Sequence, residues 1–152
     1  MLLIRFLVLS TLLVSVGFAA DSDPFLGKWK LNWSKSHSSD AAPKRAIRKY
    51  TKSGEGVRVS EDWVGPDGKH LKLDYIANYD GKEYPVRTNK TETVSFRHTD
   101  PFIVEGASKV DGRVRYLFKR IVSQDRKTLT IEMSTPDAQA KEPSIVLVYE
   151  RM

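Results

Sequence analysis

Short runs of alternating apolar and polar residues, separated by tight-turn signals, are the feature that most constrains how this chain can fold. The clearest turn signals combine Gly with acidic or basic residues, at positions 54–56, 66–69, 80–82 and 111–113. Glycine adopts the positive φ that a tight hairpin needs, and Asp can hydrogen-bond to its own backbone there. No long stretch after residue 20 has apolar residues at helical spacing, so the pattern predicts strands joined by hairpins.

Between these turns the alternation predicts about ten strands. We place them at residues 27–33, 46–52, 57–64, 70–78, 83–87, 92–98, 102–109, 113–123, 128–134 and 144–151. In the fourth, Leu71, Leu73, Tyr75 and Ala77 share one face and Lys72 lies on the other, which is typical of an antiparallel sheet with one buried face. Because an open sheet of this size would leave costly edges, we predict an all-β fold, an antiparallel up-and-down meander closed into a barrel. A two-sheet sandwich is the alternative.

The N-terminal segment has a different residue pattern from the rest of the chain. Arg5 gives it a positive start, an apolar run follows at 6–16, and small residues occupy most of 17–20. This is the order of an export signal, so we expect a cleaved signal peptide at 1–20 and one β-barrel domain at 21–152. A permanent anchor is the alternative, but the apolar run is shorter than the roughly 20 residues of a membrane span. We therefore expect a periplasmic or secreted protein.

The side chains needed for the common catalytic and metal sites are missing or scattered. Cysteine is absent, which excludes disulfides, thiolate metal sites and a thiol nucleophile. His37, His70 and His98 lack metal-ligand spacing, and no hydrolase elbow or phosphate loop is present. Glu61 and Asp62 are adjacent on a predicted strand, so they point to opposite faces and cannot act on one bond. We expect no enzymatic activity, metal or cofactor.

The positive charge predicts a polar outer surface more readily than a nucleic-acid site. The chain carries a net charge of +6. Its basic residues cluster in two groups, Lys44, Arg45, Arg48, Lys49 and Lys52, and Arg113, Arg115, Lys119, Arg120 and Arg126. Basic residues at alternate strand positions usually form a solvated outer face, and no aromatic stacking pattern accompanies them, so we expect no nucleic acid. Weak attraction to an anionic envelope surface stays open. The segments 34–45 and 135–143 are predicted surface loops, the first with room for one helical turn.

The two ends of the predicted domain resemble a known group of barrels. The triplet Gly27-Lys28-Trp29 on the first strand is similar to the opening of the calycins, the group of lipocalins and fatty-acid-binding proteins. The final strand, ending in Tyr149-Glu150-Arg151, resembles that of the fatty-acid-binding branch. The strand order agrees with that branch over nearly the whole predicted domain, and the hairpin at 78–86 resembles one in small exported bacterial proteins of unestablished function.

The resemblance implies a calycin-like barrel that holds one small apolar ligand. The sequence departs from the fatty-acid-binding branch in two places. That branch usually has an Arg two residues before the final Tyr, where this chain has Leu147. It also has two lid helices between its first two strands, for which residues 34–45 are too few.

Several polar side chains interrupt the apolar faces of the predicted strands. Arg120 shares a face with Tyr116 and Phe118, and Glu61 lies on the face of Trp63. A buried charge costs several kcal/mol unless it is paired, so Arg120 must find Glu61, a ligand anion, an aromatic face or the barrel mouth. The predicted ligand-binding residues are Arg120, Tyr149, Glu61, Trp63, Tyr75, Tyr116 and Phe118. The predicted barrel-floor residues are Trp29 and Arg151.

Three arrangements of Arg120 remain open at this point. Arg120 and Tyr149 could bind a ligand carboxylate, since the guanidinium fork suits one, and the resembling family carries an inward Arg on its eighth strand. Alternatively, Arg120 or Arg151 stacks on Trp29 and closes the barrel floor, as an Arg does in lipocalins. Finally, the strand ends could curve these groups into solvent. The aromatic residues, Trp33 included, could either line a cavity or simply fill the barrel.

Two functions follow from these patterns. The first is an exported, lipocalin-like binding protein for a small apolar or amphipathic molecule. The alternative is a non-enzymatic structural or interaction protein of the envelope, in which the barrel is filled and the function lies on the basic outer face or in the loops.

Overall fold

Ten strands follow one another along the part of the chain that the computed structural model describes, residues 22–137 and 143–152. They are β1 (Gly27–Leu31), β2 (Arg45–Ser53), β3 (Gly56–Val64), β4 (His70–Ala77), β5 (Tyr84–Val86), β6 (Asn89–Asp100), β7 (Ile103–Val110), β8 (Arg113–Val122), β9 (Thr128–Ser134) and β10 (Ile145–Arg151). The predicted signal peptide at 1–20 and residues 138–142 of the predicted loop lie outside the described residues.

Each strand pairs antiparallel with its neighbour in sequence, and the first pairs with the last. Trp29 lies opposite Arg151 and Leu31 opposite Tyr149 across β1 and β10, which closes the barrel. The predicted closed meander is therefore confirmed, and the sandwich alternative is wrong. The ladder is thinnest between β4 and β5, where Tyr75 and Val86 form the only registered pair.

Strand ends account for most differences from the prediction. β1 stops at Leu31, because the chain turns into a short 3-10 segment at Trp33–Lys35. β6 runs on to Asp100, which pairs with Ile103 after a shift of register. Leu71, expected on the buried face, is 67% exposed because it lies near the start of β4, opposite Trp63 near the end of β3.

Side chains from all around the barrel fill its centre. Those under 2% exposed are Phe25, Trp29, Val57, Val59, Tyr75, Val86, Phe96, Val104, Val122, Leu129 and Tyr149. Gly106 makes this packing possible, because a Cβ there would lie 2.8 Å from Phe118 Cζ and 2.6 Å from Phe96 Cβ. The missing side chain lets the two phenylalanine rings approach to 6.4 Å between centroids.

In the described part of the chain, no helix has the length and apolar character required to cross a membrane.

Candidate functional site

One end of the barrel is closed by a floor built from both chain ends. Arg151 lies over Trp29, with Cζ 4.0 Å from the ring centroid. Its guanidinium donates to the carbonyl oxygens of Leu26 at 2.7 Å and Pro24 at 2.8 Å, while Trp29 Nε1 donates to Phe25 O at 2.9 Å. Burial, and then the charge of a neighbouring arginine, lowers the pKa of Arg151. These contacts hold the segment before β1 across this end, so of the two floor candidates it is Arg151 that stacks on Trp29.

The backbone at Gly27, the first residue of β1, requires a glycine. Its φ is +132°, a conformation that side chains rarely adopt, and a Cβ there would lie 2.5 Å from Arg151 Nη1. The absence of a side chain at Gly27 lets Arg151 reach the ring of Trp29 two residues later.

A first polar group inside the barrel pairs a buried cation with a buried carboxylate. We call it the Arg48 cluster, and it consists of Arg48, Tyr50, Glu61 and Tyr149. Arg48 Nη2 donates to Glu61 Oε2 at 2.8 Å, and the Tyr149 hydroxyl donates to Glu61 Oε1 at 2.6 Å. Arg48 Nη1 also donates to the Tyr50 hydroxyl at 3.3 Å. Both carboxylate oxygens of Glu61 are thus occupied.

The electrostatics of the Arg48 cluster stabilise its charged pair. Burial alone would lower the pKa of Arg48, but the Glu61 carboxylate and then the tyrosine oxygens outweigh it and raise that pKa well above its ordinary value. Burial, and then Glu61, raises the pKa of Tyr149, so its hydroxyl stays protonated and donates. The cluster holds one cation and one anion, and the anion also accepts from the Tyr149 phenol.

A second polar group contains a buried cation with no acidic partner. We call it the Arg120 cluster, and it consists of Arg120, Phe96, Phe118 and Tyr75. Arg120 is 6% exposed, and its Cζ lies 4.2 Å from the Phe118 ring centroid and 5.2 Å from that of Phe96. Among the described residues no carboxylate forms an ion pair with it. The two aromatic faces take the place of a counter-ion.

The Arg120 cluster also contains unused hydrogen-bonding groups. Arg120 Nε and the Tyr75 hydroxyl are both buried without a hydrogen-bond partner. Burial raises the pKa of Tyr75, and the charge of Arg120 opposes that rise, so the two groups lie within electrostatic reach although they do not meet hydrogen-bond geometry. A buried cation and a buried hydroxyl side by side present two donors to any acceptor that enters.

The structure divides the predicted ligand residues among three places. Arg120, Phe118 and Tyr75 belong to the Arg120 cluster, whereas Tyr149 and Glu61 belong to the Arg48 cluster. Of the partners left open for Arg120, Glu61 is ruled out, because the β2–β3 register places Arg48 opposite Glu61, and Arg120 has found an aromatic face. Tyr149 likewise gives its hydroxyl to Glu61, so it does not act with Arg120 as one head-group site.

The remaining predicted residues lie near the open end of the barrel, opposite the floor. Trp63 packs edge-on against Trp33, with 6.4 Å between ring centroids, and both are half-buried. Tyr116 is half-buried too, with the Arg115 guanidinium 5.4 Å from its ring centroid. Met133 and Ile145 are partly buried against the core. We call this half-buried set, Trp33, Trp63, Met133 and Ile145, the mouth.

Arg48 is the main residue that sequence reasoning misplaced. It was assigned to a solvated basic face with Arg45 and Lys49, and that assignment is wrong, since Arg48 is 7% exposed. The signal was present: Ala46 and Tyr50, two residues before and after, are both buried and mark the inward face of β2. Phe96 was also overlooked, although Val94 two residues earlier points to the same face.

Cavities of about 400 to 600 Å³ lie at the surface rather than around Arg120. A cavity of about 600 Å³ beside the floor is lined by Asp23, Tyr79 and His98, among others. Another, of about 530 Å³, lies on the outer face of the first four strands. Neither is lined by Arg120 or Tyr75. Among the described residues no three His, Asp or Glu side chains gather as a metal site.

Comparison with known proteins identifies the fold. No family model matches the chain, and no curated protein matches it in sequence. Among solved structures, the wild-type fluorescent protein UnaG matches with a TM-score of 0.56 and 18% identity, over 84% of this chain and 97% of that one. A variant of the same protein matches with a TM-score of 0.57 and 17% identity, over 85% and 96%. UnaG is a calycin barrel of the fatty-acid-binding-protein type, so the chain has a calycin-like fold.

Proposed function

We propose that this protein is a non-enzymatic, exported binding protein for a small amphipathic molecule whose acidic head group binds at the Arg120 cluster. The observation that carries the proposal is the buried guanidinium of Arg120, which lies on two aromatic rings with no carboxylate against it. The calycin-like fold supports the same function, because the resemblance implies a barrel that encloses one small ligand.

The energetics favour an anionic head group. A buried ion costs several kcal/mol in effective desolvation unless it is paired, whereas a cation–π contact contributes about 0.5 to 2 kcal/mol. Aromatic faces therefore compensate only part of the cost of burying Arg120. A ligand carboxylate would add a full opposite charge and would accept from Arg120 Nε and from the Tyr75 hydroxyl, both of which lack a partner.

The two ends of the barrel differ, which sets the orientation of the apolar tail of the ligand. The floor at Trp29 and Arg151 closes one end, while the mouth carries half-buried apolar side chains at the other. Because the centre is packed, binding requires the mouth side chains to shift. A ligand with a short or flexible apolar tail fits this best, lying with its head on Arg120 and its tail toward Trp33 and Trp63.

Export is part of the proposal and has separate support. The positive start at Arg5, the apolar run at 6–16 and the small residues at 17–20 suit a signal peptidase. A barrel domain without cysteine needs no oxidising folding machinery, which agrees with a bacterial periplasm or medium.

A second function is favoured by one observation, the dense filling of the barrel centre. In that case the protein acts through its surface, with Arg113 and Arg115 on the exposed face of β8 contacting an anionic envelope surface or a partner. Charge reversal at both arginines would then abolish the contact, and the interior would bind nothing.

Native mass spectrometry and a ligand titration separate the two. The protein purified under mild conditions should carry an extra mass of a few hundred daltons, and a fluorescent fatty acid should bind saturably at one site. Competition by unlabelled acids of different chain length would report the preferred tail. Protein free of any added mass, together with no saturable binding across several lipid classes, would contradict the ligand-binding proposal and favour the surface function.

A further inference from the structure

The outer surface of the barrel carries a second candidate site, which is lined by lysines and differs chemically from the interior. A groove of about 530 Å³ crosses the outer faces of β1 to β4, and we call it the lysine groove after Lys28, Lys49 and Lys72 in its lining. Ser60, which is half-buried, also lines it. All four side chains alternate with inward-facing ones, so they lie on the outer face of the sheet.

The strand register places two of these lysines against each other. Lys28 on β1 lies directly opposite Lys49 on β2, and Lys49 lies opposite Ser60 on β3. Like charges directly opposite on neighbouring strands are destabilising. An anion bound between Lys28 and Lys49 would remove that repulsion, and the Ser60 hydroxyl lies in the same row to donate to it.

The acidic residues in the lining of the groove, Glu61, Asp62 and Asp74, are already occupied. Glu61 accepts from Arg48 and Tyr149. Asp62 accepts from Arg45 at 2.9 Å and lies 2.7 Å from His70 Nδ1. Asp74 accepts twice from Arg58, at 2.9 and 3.0 Å. The three lysines, by contrast, form no ion pair with any residue that the structure describes. The groove therefore presents a net positive surface made of ammonium groups, while its arginines are engaged with aspartates.

From this arrangement we infer that the lysine groove binds an anion with two or more phosphate groups. Lysine binds phosphate oxygens as a point charge, without the planar fork by which arginine matches carboxylate or phosphate. Lys72 lies on β4, two strands from Lys49 and two residues along from the row of Lys49, a separation of roughly 12 Å at the usual strand dimensions. One phosphate cannot reach all three ammonium groups, but a chain of phosphates can.

Titration calorimetry with three inorganic probes at constant ionic strength tests the inference. Affinity should rise from orthophosphate to pyrophosphate to tripolyphosphate. Lys49→Ala should weaken tripolyphosphate binding roughly tenfold, the loss expected for a charge-assisted contact. Lys127→Ala is the matched control, because it removes the same charge from an exposed position in the β8–β9 turn and should leave binding unchanged.

Thermal unfolding gives a second readout that needs no ligand. Lys49→Ala should keep or raise the melting temperature, since the repulsion from Lys28 is gone, and tripolyphosphate should stabilise the wild type more than the variant. The absence of saturable tripolyphosphate binding, or an equal loss with Lys49→Ala and Lys127→Ala, would overturn the inference. Arg120→Leu should bind tripolyphosphate as the wild type does, so this result is independent of the interior ligand.

Discussion

Two arginines are equally buried in this barrel, but the groups that contact them differ. Arg48 and Arg120 are 7% and 6% exposed. Arg48 is held by a carboxylate and a phenol, with every oxygen of Glu61 used. Arg120 lies on Phe96 and Phe118 and has no carboxylate partner among the described residues. The Nε atoms of both arginines lack a hydrogen-bond partner there, so the contrast lies in the counter-ion. In the first arrangement the charge is paired within the protein, whereas the second gains an opposite charge only when an anion enters.

The presence or absence of a counter-ion distinguishes a buried charge that stabilises the fold from one that is available to a ligand. A buried charge that is fully paired stabilises one packing of the core and needs nothing else. A buried charge without a counter-ion destabilises the free protein, because it has lost its hydration. A ligand that pairs this charge binds more tightly, because the desolvation has already occurred on folding. The comparison predicts that variants of the Arg48 cluster affect folding, while variants of the Arg120 cluster affect binding.

The largest expected effect is the loss of the buried ion pair. Arg48→Leu leaves Glu61 as an uncompensated buried charge, so we expect the free energy of unfolding to fall by about 3 to 5 kcal/mol. Urea denaturation monitored by tryptophan fluorescence measures it. The double variant Arg48→Leu with Glu61→Leu is the control and should recover part of the loss. A single variant as stable as the wild type would show that the pair contributes nothing.

A matched pair of tyrosine variants comes next. Tyr149→Phe removes a hydrogen bond to a charged acceptor and should cost about 1.5 to 3 kcal/mol. Tyr75→Phe removes a hydroxyl that has no partner, so stability should be unchanged or slightly higher. Both are compared in the same denaturation experiment. Equal losses in the two variants would mean that the Tyr75 hydroxyl has a partner in solution and that the two clusters do not differ.

Alkaline titration probes the same contrast through pH. Burial and the Glu61 carboxylate raise the pKa of Tyr149, so the folded state keeps a proton that the unfolded state loses near pH 10. The stabilisation is fully present below that pH and is lost as pH rises, by up to about 1.4 kcal/mol per pH unit for one group. Unfolding curves at pH 8 to 11 should show the decline. Tyr149→Phe should make it less steep without abolishing it, because burial raises the pKa of Tyr75 and Tyr79 too. A wild type equally stable at pH 8 and 11 would contradict the burial of this phenol.

The smallest expected change in stability belongs to Arg120. Arg120→Leu removes an unpaired buried charge and keeps an apolar side chain of useful size, so stability should change by less than about 1 kcal/mol or rise. Differential scanning calorimetry beside Arg48→Leu gives the comparison. A loss as large as that of Arg48→Leu would show that Arg120 is part of the structural framework instead.

Much of the fold could be predicted from local signals, and the pairing inside it could not. Turn residues and alternation suffice to place ten strands and to close them, and the face of Phe118 suffices to turn Arg120 inward. The partner of Glu61 depends on which residue of β2 faces it, a matter of register between strands that no local pattern encodes. Arg48 was misassigned because its neighbours Arg45 and Lys49 made the run look solvated. The prediction that Leu71 is buried is wrong because alternation does not show where a strand extends beyond the buried part of the barrel.

Recognition of an acidic ligand head by Arg120 can be tested with a cycle of two ligands and two proteins. Titration calorimetry would compare decanoic acid with decanol, which share a tail, on the wild type and on Arg120→Leu. The account predicts that the wild type prefers the acid by roughly tenfold or more and that the variant loses this preference while still binding the alcohol. A preference for the acid that survives in Arg120→Leu would contradict it.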